Sequence, residues 1–245
     1  MSRHAVVTGS SGGIGAAVCR YLTDSGWTVT GLDVADPPGG GWRHVPCDLG
    51  VSGQAAAGAA AARESSGPVT AIVHCAAVQA LGGAGAISGD DWRQTLQVNV
   101  VALDELVGAC RDDLVAHRGA VVAISSVHAK ATTRGIAAYA TSKAALNGWV
   151  RAAALDLAPH VRVNAIQPGA VRTGMLLDGL ARRPDEGSPD QALEALAART
   201  PLGAVAEPAD IAAAVGALLD PAVTRFMTGV TLPADGGALI HLSTE

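Results

Sequence analysis

Aromatic side chains are scarce, with one Phe, two Tyr and four Trp in 245 residues. Stacking platforms for nucleic-acid bases are therefore not expected, because single-strand binding draws on successive aromatic faces. Excess positive charge is also missing. Lys and Arg number 17 against 22 Asp and Glu, and no basic run exists to displace counterions from a phosphate backbone. Nor does any apolar stretch reach the roughly 18 to 20 residues of a membrane span. Met1-Ser2-Arg3-His4 passes directly into a strand-like segment, which leaves no room for a signal peptide. The expectation is a cytoplasmic chain that contacts neither nucleic acid nor membrane.

Paired cysteine spacings are lacking as well. Cys19, Cys47, Cys75 and Cys110 stand far apart with no C-x-x-C, so buried thiols are expected, not disulfides. The histidines form no H-E-x-x-H, and a protein-held metal is not expected.

Apolar residues, mostly Ala, Val and Leu, make up 49% of the chain, enough for one core in a single α/β domain over 1–245. Short runs rich in Val and Ile fall at 4–8, 28–33, 44–48, 71–74, 120–125, 161–167 and 229–232, with helical segments between them. That alternation predicts a parallel sheet of about seven strands with helices on both faces. Leu103, Leu106, Val107, Cys110 and Leu114 mark one stripe of a helix over 90–116. A second helix, over 139–157, is poor in charge, with Ala144, Ala145, Ala152, Ala153 and Trp149 around it, and is expected to bury a subunit contact as well as a core contact. Gly and Pro punctuate loops at 37–41 and 82–89. The stretch 174–201 breaks the rhythm with Met175, Leu176, Leu177 and Leu180, a polar tract at 182–190 and a short helix at 191–199, and reads as a substrate lid.

The first strand runs into Thr8-Gly9-Ser10-Ser11-Gly12-Gly13-Ile14-Gly15 and then a helical segment. Glycines there permit a sharp turn and close approach of a dinucleotide pyrophosphate, while the helix start offers unpaired N–H groups. A side chain at Gly13 or Gly15 should obstruct this. Asp33 closes the second strand, where a carboxylate accepts hydrogen bonds from ribose hydroxyls and repels a 2′-phosphate. Between Gly12 and Asp33 the only cation is Arg20, so NAD is favoured over NADP.

Ser126 ends a strand, and Tyr139 and Lys143, four residues apart, share a face of the next helix. A free Tyr is a poor base at neutral pH. A cationic Lys and an oxidised nicotinamide beside it are expected to lower its pKa into a usable range.

The turn T-G-x-x-x-G-x-G at 8–15, Asn99, Ser126 and Tyr139-x-x-x-Lys143 together resemble a classical short-chain dehydrogenase/reductase over nearly the whole chain. Asp48, Asn99-Val100, Pro168-Gly169 with Thr173, and Asp235-Gly236-Gly237 extend the resemblance. It implies a Rossmann fold in which Tyr139 exchanges the hydroxyl proton, Ser126 orients the substrate oxygen, Lys143 holds the nicotinamide ribose and Asn99 positions a relay water. It also implies a cofactor site of Gly9, Ser11, Gly13, Ile14, Gly15, Asp33, Asp48, Ala76, Lys143, Pro168, Gly169, Val171 and Thr173. Tetramers or dimers of identical subunits are common in this family.

One departure is plain. Where the family usually has Asn-Asn-Ala-Gly after the fourth strand, this chain has His74-Cys75-Ala76-Ala77, and Cys75 is a weaker hydrogen-bonding group than Asn. Backbone groups there must find other partners. His128 either contacts substrate or is an exposed loop residue, and Arg182 and Arg183 either clamp an anionic substrate or are solvated lid charges. Trp27, Trp92 and Trp149 read as packing residues. The expected activity is NAD-dependent interconversion of a secondary alcohol and a ketone. A non-catalytic NAD-binding regulatory or scaffold protein is the alternative, but it would not need the Ser, Tyr, Lys and Asn set. A sugar-nucleotide epimerase or dehydratase usually adds a carboxy-terminal substrate domain, which nothing after Pro233 could supply.

Overall fold

A computed structural model describes residues 3–181 and 188–240. Strand β1 (His4–Thr8) is buried throughout its length. Successive side chains of a strand point to opposite faces. Ala5 and Val7 accordingly enter one apolar cluster and Val6 the other. The same split separates Val73 from Ile72 in β4 (Ala71–His74) and Val122 from Val121 in β5 (Ala120–Ile124). Two cores, one on each face, explain why these strands are apolar without alternation.

The remaining strands are β2 (Thr28–Asp33), β3 (Arg43–Pro46), β6 (Arg162–Pro168) and β7 (Thr231–Ala234). All pair in parallel in the order β3-β2-β1-β4-β5-β6-β7. The chain builds outward from β1 to β3 and returns to β4 on the other side of β1. A crevice opens at such a switch point, outside the carboxyl ends of β1 and β4.

One core packs α1 (Gly13–Asp24) against α8 (Pro208–Leu219). The other holds α2 (Gln54–Ser66), α4 (Ala102–Ala116) and α5 (Ala137–Leu157). Helix α5 buries a stripe that includes Tyr139, Lys143, Leu146, Val150 and Leu157, while Ala144, Ala145, Ala152 and Leu155 are exposed. Within one protomer it therefore buries a single face. A four-residue helix, α9 (Pro221–Thr224), follows α8.

Several boundaries differ from those read in the sequence. Strand β3 stops at Pro46 because Asp48 turns the chain, its Oδ1 accepting from the Gly50 N–H at 2.9 Å. Strand β7 lies later than 229–232 and includes Pro233, which a sheet tolerates at an edge. The helix expected over 90–116 is in three parts: α3 (Gly89–Leu96), a π-helical turn at Gln97–Val101, and α4. In the 174–201 stretch, α6 (Gly174–Ala181) and α7 (Pro189–Ala198) meet through Leu180, Ala192 and Leu193. Ser188 starts α7 with a reciprocal cap to Gln191, one turn before the helix read at 191–199. Arg182 and Arg183 lie outside the described residues.

Among the described residues no helix is long and apolar enough to cross a membrane, and no group of three His, Cys, Asp or Glu could hold a metal ion. All four cysteines are free thiols.

Candidate active site

The site begins where β1 ends. Gly9 has φ +65°, and a Cβ there would lie 2.7 Å from the Ala76 amide nitrogen, so β1 and β4 approach too closely for any side chain. A Cβ on Gly15 would strike the Gly9 carbonyl oxygen, and one on Gly13 would come within 2.8 Å of Thr173 Cγ2. Helix α1 starts at Gly12 with no side-chain cap, which leaves its first N–H groups facing the crevice. This geometry fits an anionic pyrophosphate.

Asp33 is anchored by two backbone donors, the Ser11 N–H to Oδ2 at 2.9 Å and the Ala35 N–H to Oδ1 at 3.0 Å. Ser11 Oγ also donates to the Ala35 carbonyl at 2.7 Å. On the opposite wall, Gly169 packs against Asp235, whose carboxylate accepts from the Gly237 and Leu239 N–H groups. Thr173 Oγ1 accepts from the Leu176 N–H at the start of α6.

These walls enclose a cleft of about 960 Å³. Every residue named from the sequence for cofactor binding or catalysis lines it except Asn99. Asn99 is fully buried in the π turn. Its Nδ2 donates to the Val78 carbonyl at 3.0 Å and to Ser142 Oγ at 2.9 Å, and its Oδ1 accepts from the Val78 N–H at 2.8 Å. With both amide hydrogens engaged, the Asn99 side chain is a clamp between segments. Trp27, Trp92 and Trp149 are absent from the lining. Trp27 carries the Arg3 guanidinium 5.0 Å from its ring centroid, and Trp149 Nε1 donates to Asp104.

Tyr139 and Lys143 open onto the cleft from α5, only 8% and 2% exposed. Lys143 Nζ donates to the Ile124 carbonyl at 2.8 Å and lies 5.6 Å from the Tyr139 ring centroid. Burial lowers the Lys143 pKa to about 8, opposed by neighbouring Cys75. Burial raises the Tyr139 pKa, with a hydrogen bond from Ser126 pulling it back. The lowering expected from the sequence is therefore not supplied by Lys143 in the protein alone, because desolvation of the phenol outweighs its neighbours. Ser126 Oγ accepts the His128 N–H at 3.2 Å, which leaves its own hydrogen to donate. The His128 ring meets Tyr139 edge-on at 6.2 Å and lines the cleft.

At the departure from the family pattern, the Cys75 N–H donates to the Thr8 carbonyl at 3.3 Å and the Ala76 N–H to Thr8 Oγ1 at 3.2 Å. Thr8 thus supplies partners for both of these backbone N–H groups. His74 is fully buried, 2.9 Å through Nδ1 from Thr8 Oγ1, and burial with nearby Lys143 lowers its pKa to about 3. No role for this imidazole was legible in the sequence. Its signals there are a His at an apolar strand end and its place in the departure from Asn-Asn-Ala-Gly.

A parallel sheet with an uncapped glycine turn at its switch point, facing a buried Tyr and Lys across one cleft, defines a nicotinamide-dependent oxidoreductase of the Rossmann type. The family described as Enoyl-(Acyl carrier protein) reductase matches residues 9–238. Short-chain reductase protein NovJ of Streptomyces niveus is 32% identical over 252 residues, covering 95% of this chain and 92% of that protein. Ligand-free aldohexose dehydrogenase of Thermoplasma acidophilum superposes with a TM-score of 0.94 at 28% identity, covering 100% of this chain and 96% of that one. A variant of actinorhodin polyketide ketoreductase solved with NADPH gives 0.88 at 26% identity, covering 97% of each chain. The chain belongs to the classical short-chain dehydrogenase/reductase family.

Proposed function

We propose that this protein catalyses reversible NAD-linked oxidation of a secondary alcohol, or reduction of the ketone, with Tyr139 as the general acid/base. The carrying observation is that the Tyr139 and Lys143 side chains reach the same cleft as the glycine turn and Asp33. The bound nicotinamide supplies or accepts the hydride. The chain's own residues do the rest.

Amide groups at the start of α1 bind the pyrophosphate, Asp33 the adenosine ribose and Asp48 the adenine edge. Pro168, Gly169, Val171 and Thr173 would border the nicotinamide and its carboxamide, while Gly9, Ser11 and Ala76 would line the rest of the cofactor site. Lys143 holds the second ribose and keeps positive charge beside Tyr139 Oη. Ser126 donates its hydroxyl hydrogen to the substrate oxygen, and Tyr139 exchanges a proton with that same atom. Asn99 positions a relay water. The Asp33 carboxylate, with Arg20 the only cation in the chain between Gly12 and Asp33, supports NAD over NADP. A relative solved with NADPH makes this preference worth direct measurement.

The whole chain forms one dinucleotide-binding domain, and residues 174–201 act as its substrate lid. Identical subunits, as dimer or tetramer, associate through the small exposed residues of α5 and the apolar surface at Phe226 and Leu232. The test of function is a panel of alcohols and ketones followed by NADH absorbance, with wild type and Tyr139→Phe side by side. A variant with near-normal turnover rejects the Tyr139 assignment.

A further inference from the structure

Among the buried polar side chains that the mechanism does not use is His74. His74 ends β4 directly opposite Thr8 in the strand register, fully buried and outside the cleft lining. An imidazole in such a place needs partners at both nitrogens to offset its desolvation.

Nδ1 has one, Thr8 Oγ1, at 2.9 Å. That oxygen already accepts the Ala76 N–H, so the hydrogen on Thr8 Oγ1 is free to go to Nδ1. With Nδ1 as the acceptor, the neutral ring carries its proton on Nε2. Nε2 makes no hydrogen bond within normal geometry, and the carbonyls of Val98 and Asn99 lie close enough to the ring to favour a proton on it. Both carbonyls belong to the π turn, the interruption that separates α3 from α4.

From that turn the contacts lead to the chemistry. Asn99 Nδ2 donates to Ser142 Oγ, Ser142 Oγ donates to the Tyr139 carbonyl at 2.7 Å, and Lys143 follows next in the chain. At its other end the path starts from Thr8, the residue before Gly9 of the phosphate turn. Taking the Tyr139 reading above as its basis, we infer that His74 is a positioning residue: its Nε2–H faces the carbonyls of the Asn99 turn and holds that turn, and through it Tyr139 and Lys143, in register with the cradle on β1. Burial, helped by nearby Lys143, keeps the ring neutral, so a donor is present without a competing charge.

Two kinds of measurement test this. Asn places its amide where His has Nδ1, and Gln reaches to where His has Nε2. His74→Asn therefore keeps only the Thr8 contact, His74→Gln restores the donor toward the turn, and His74→Leu supplies neither. Expected is a fall in kcat of about tenfold to a hundredfold for the Asn and Leu variants, with KM and NADH affinity within about twofold and most of the loss recovered by Gln. Equal kcat in the Asn and Gln variants, or losses confined to KM, would overturn the proposal. Should the Leu variant not fold, the Asn and Gln pair still decides it.

The second measurement needs no substitution. Nitrogen-15 shifts of His74 in the wild-type chain report the tautomer, expected as Nε2–H and unchanged from pH 8 to pH 5. A proton on Nδ1 overturns the inference whatever the variants do. Turnover retained by Tyr139→Phe, with the Nε2–H tautomer present, would instead reject the reading on which this inference rests.

Discussion

Lys143 Nζ and the Ile124 carbonyl are 2.8 Å apart, which ties the ammonium of α5 to the strand that delivers Ser126. Helix and strand thus share a hydrogen bond one turn from Tyr139. Relative motion of the proton donor and the residue that orients the substrate is restrained by the same contact.

Replacing Tyr139 by Phe removes the proton-transfer group and almost no volume. Turnover should fall by about 10²- to 10⁴-fold, the range for a lost general acid or base. NADH affinity, read by fluorescence titration, should stay within about twofold.

The pKa of Lys143, lowered to about 8, fixes the sign of two pH effects. Ketone reduction that needs the ammonium should decline as pH rises through about 8, and Lys143→Met should lose that limb along with most of the activity. For stability, the folded state binds fewer protons than the unfolded chain between about 8 and the free-Lys value of about 10.4, so the cost of burying this amine fades as pH rises over that window. Urea melts should show wild type gaining stability relative to Lys143→Met between pH 8 and pH 10. The opposite slope would mean that the buried amine is not depressed.

A methyl group separates two glycines of the cradle. Gly15→Ala places a carbon against the Gly9 carbonyl and should weaken NADH binding at least tenfold, on the order of 1.4 kcal/mol. Gly12→Ala meets only that same oxygen, at 3.4 Å, and should leave the melting temperature nearly unchanged. Equal effects on cofactor affinity would contradict the close approach at Gly15.

Asp33→Ser keeps a hydrogen-bond acceptor near Ser11 and Ala35 but removes the charge. The ratio of NADPH to NADH affinity should rise about tenfold or more, measured as two dissociation constants. If wild type already binds NADPH as tightly as NADH, Asp33 does not select the cofactor.

The sheet and the cradle were legible because their causes are local. Val6 and Val7 alternate faces, and Gly9 and Gly15 answer a steric demand that any chain must meet at such a turn. The π turn was not legible, because the apolar stripe of Leu103, Leu106, Cys110 and Leu114 is compatible with one continuous helix and carries no mark of an inserted residue. Asn99 could be singled out by resemblance, but that both its amide hydrogens are used internally depends on Val78 and Ser142, which are remote in sequence. The raised pKa of Tyr139 was likewise hidden, since desolvation depends on packing around the phenol and not on the four-residue spacing to Lys143. Pro233 displaced β7 from its expected place because edge status is a property of the whole sheet.

That proline has a further effect. The carbonyls of Val230 and Ala234 point inward to β6, so by alternation residue 233 turns its main-chain nitrogen outward, and at Pro233 that nitrogen carries no hydrogen. An incoming extended peptide finds a gap in the ladder it would need to zip onto. Growth of the sheet into a fibril by stacking chain upon chain is discouraged there, while contacts made by side chains remain open.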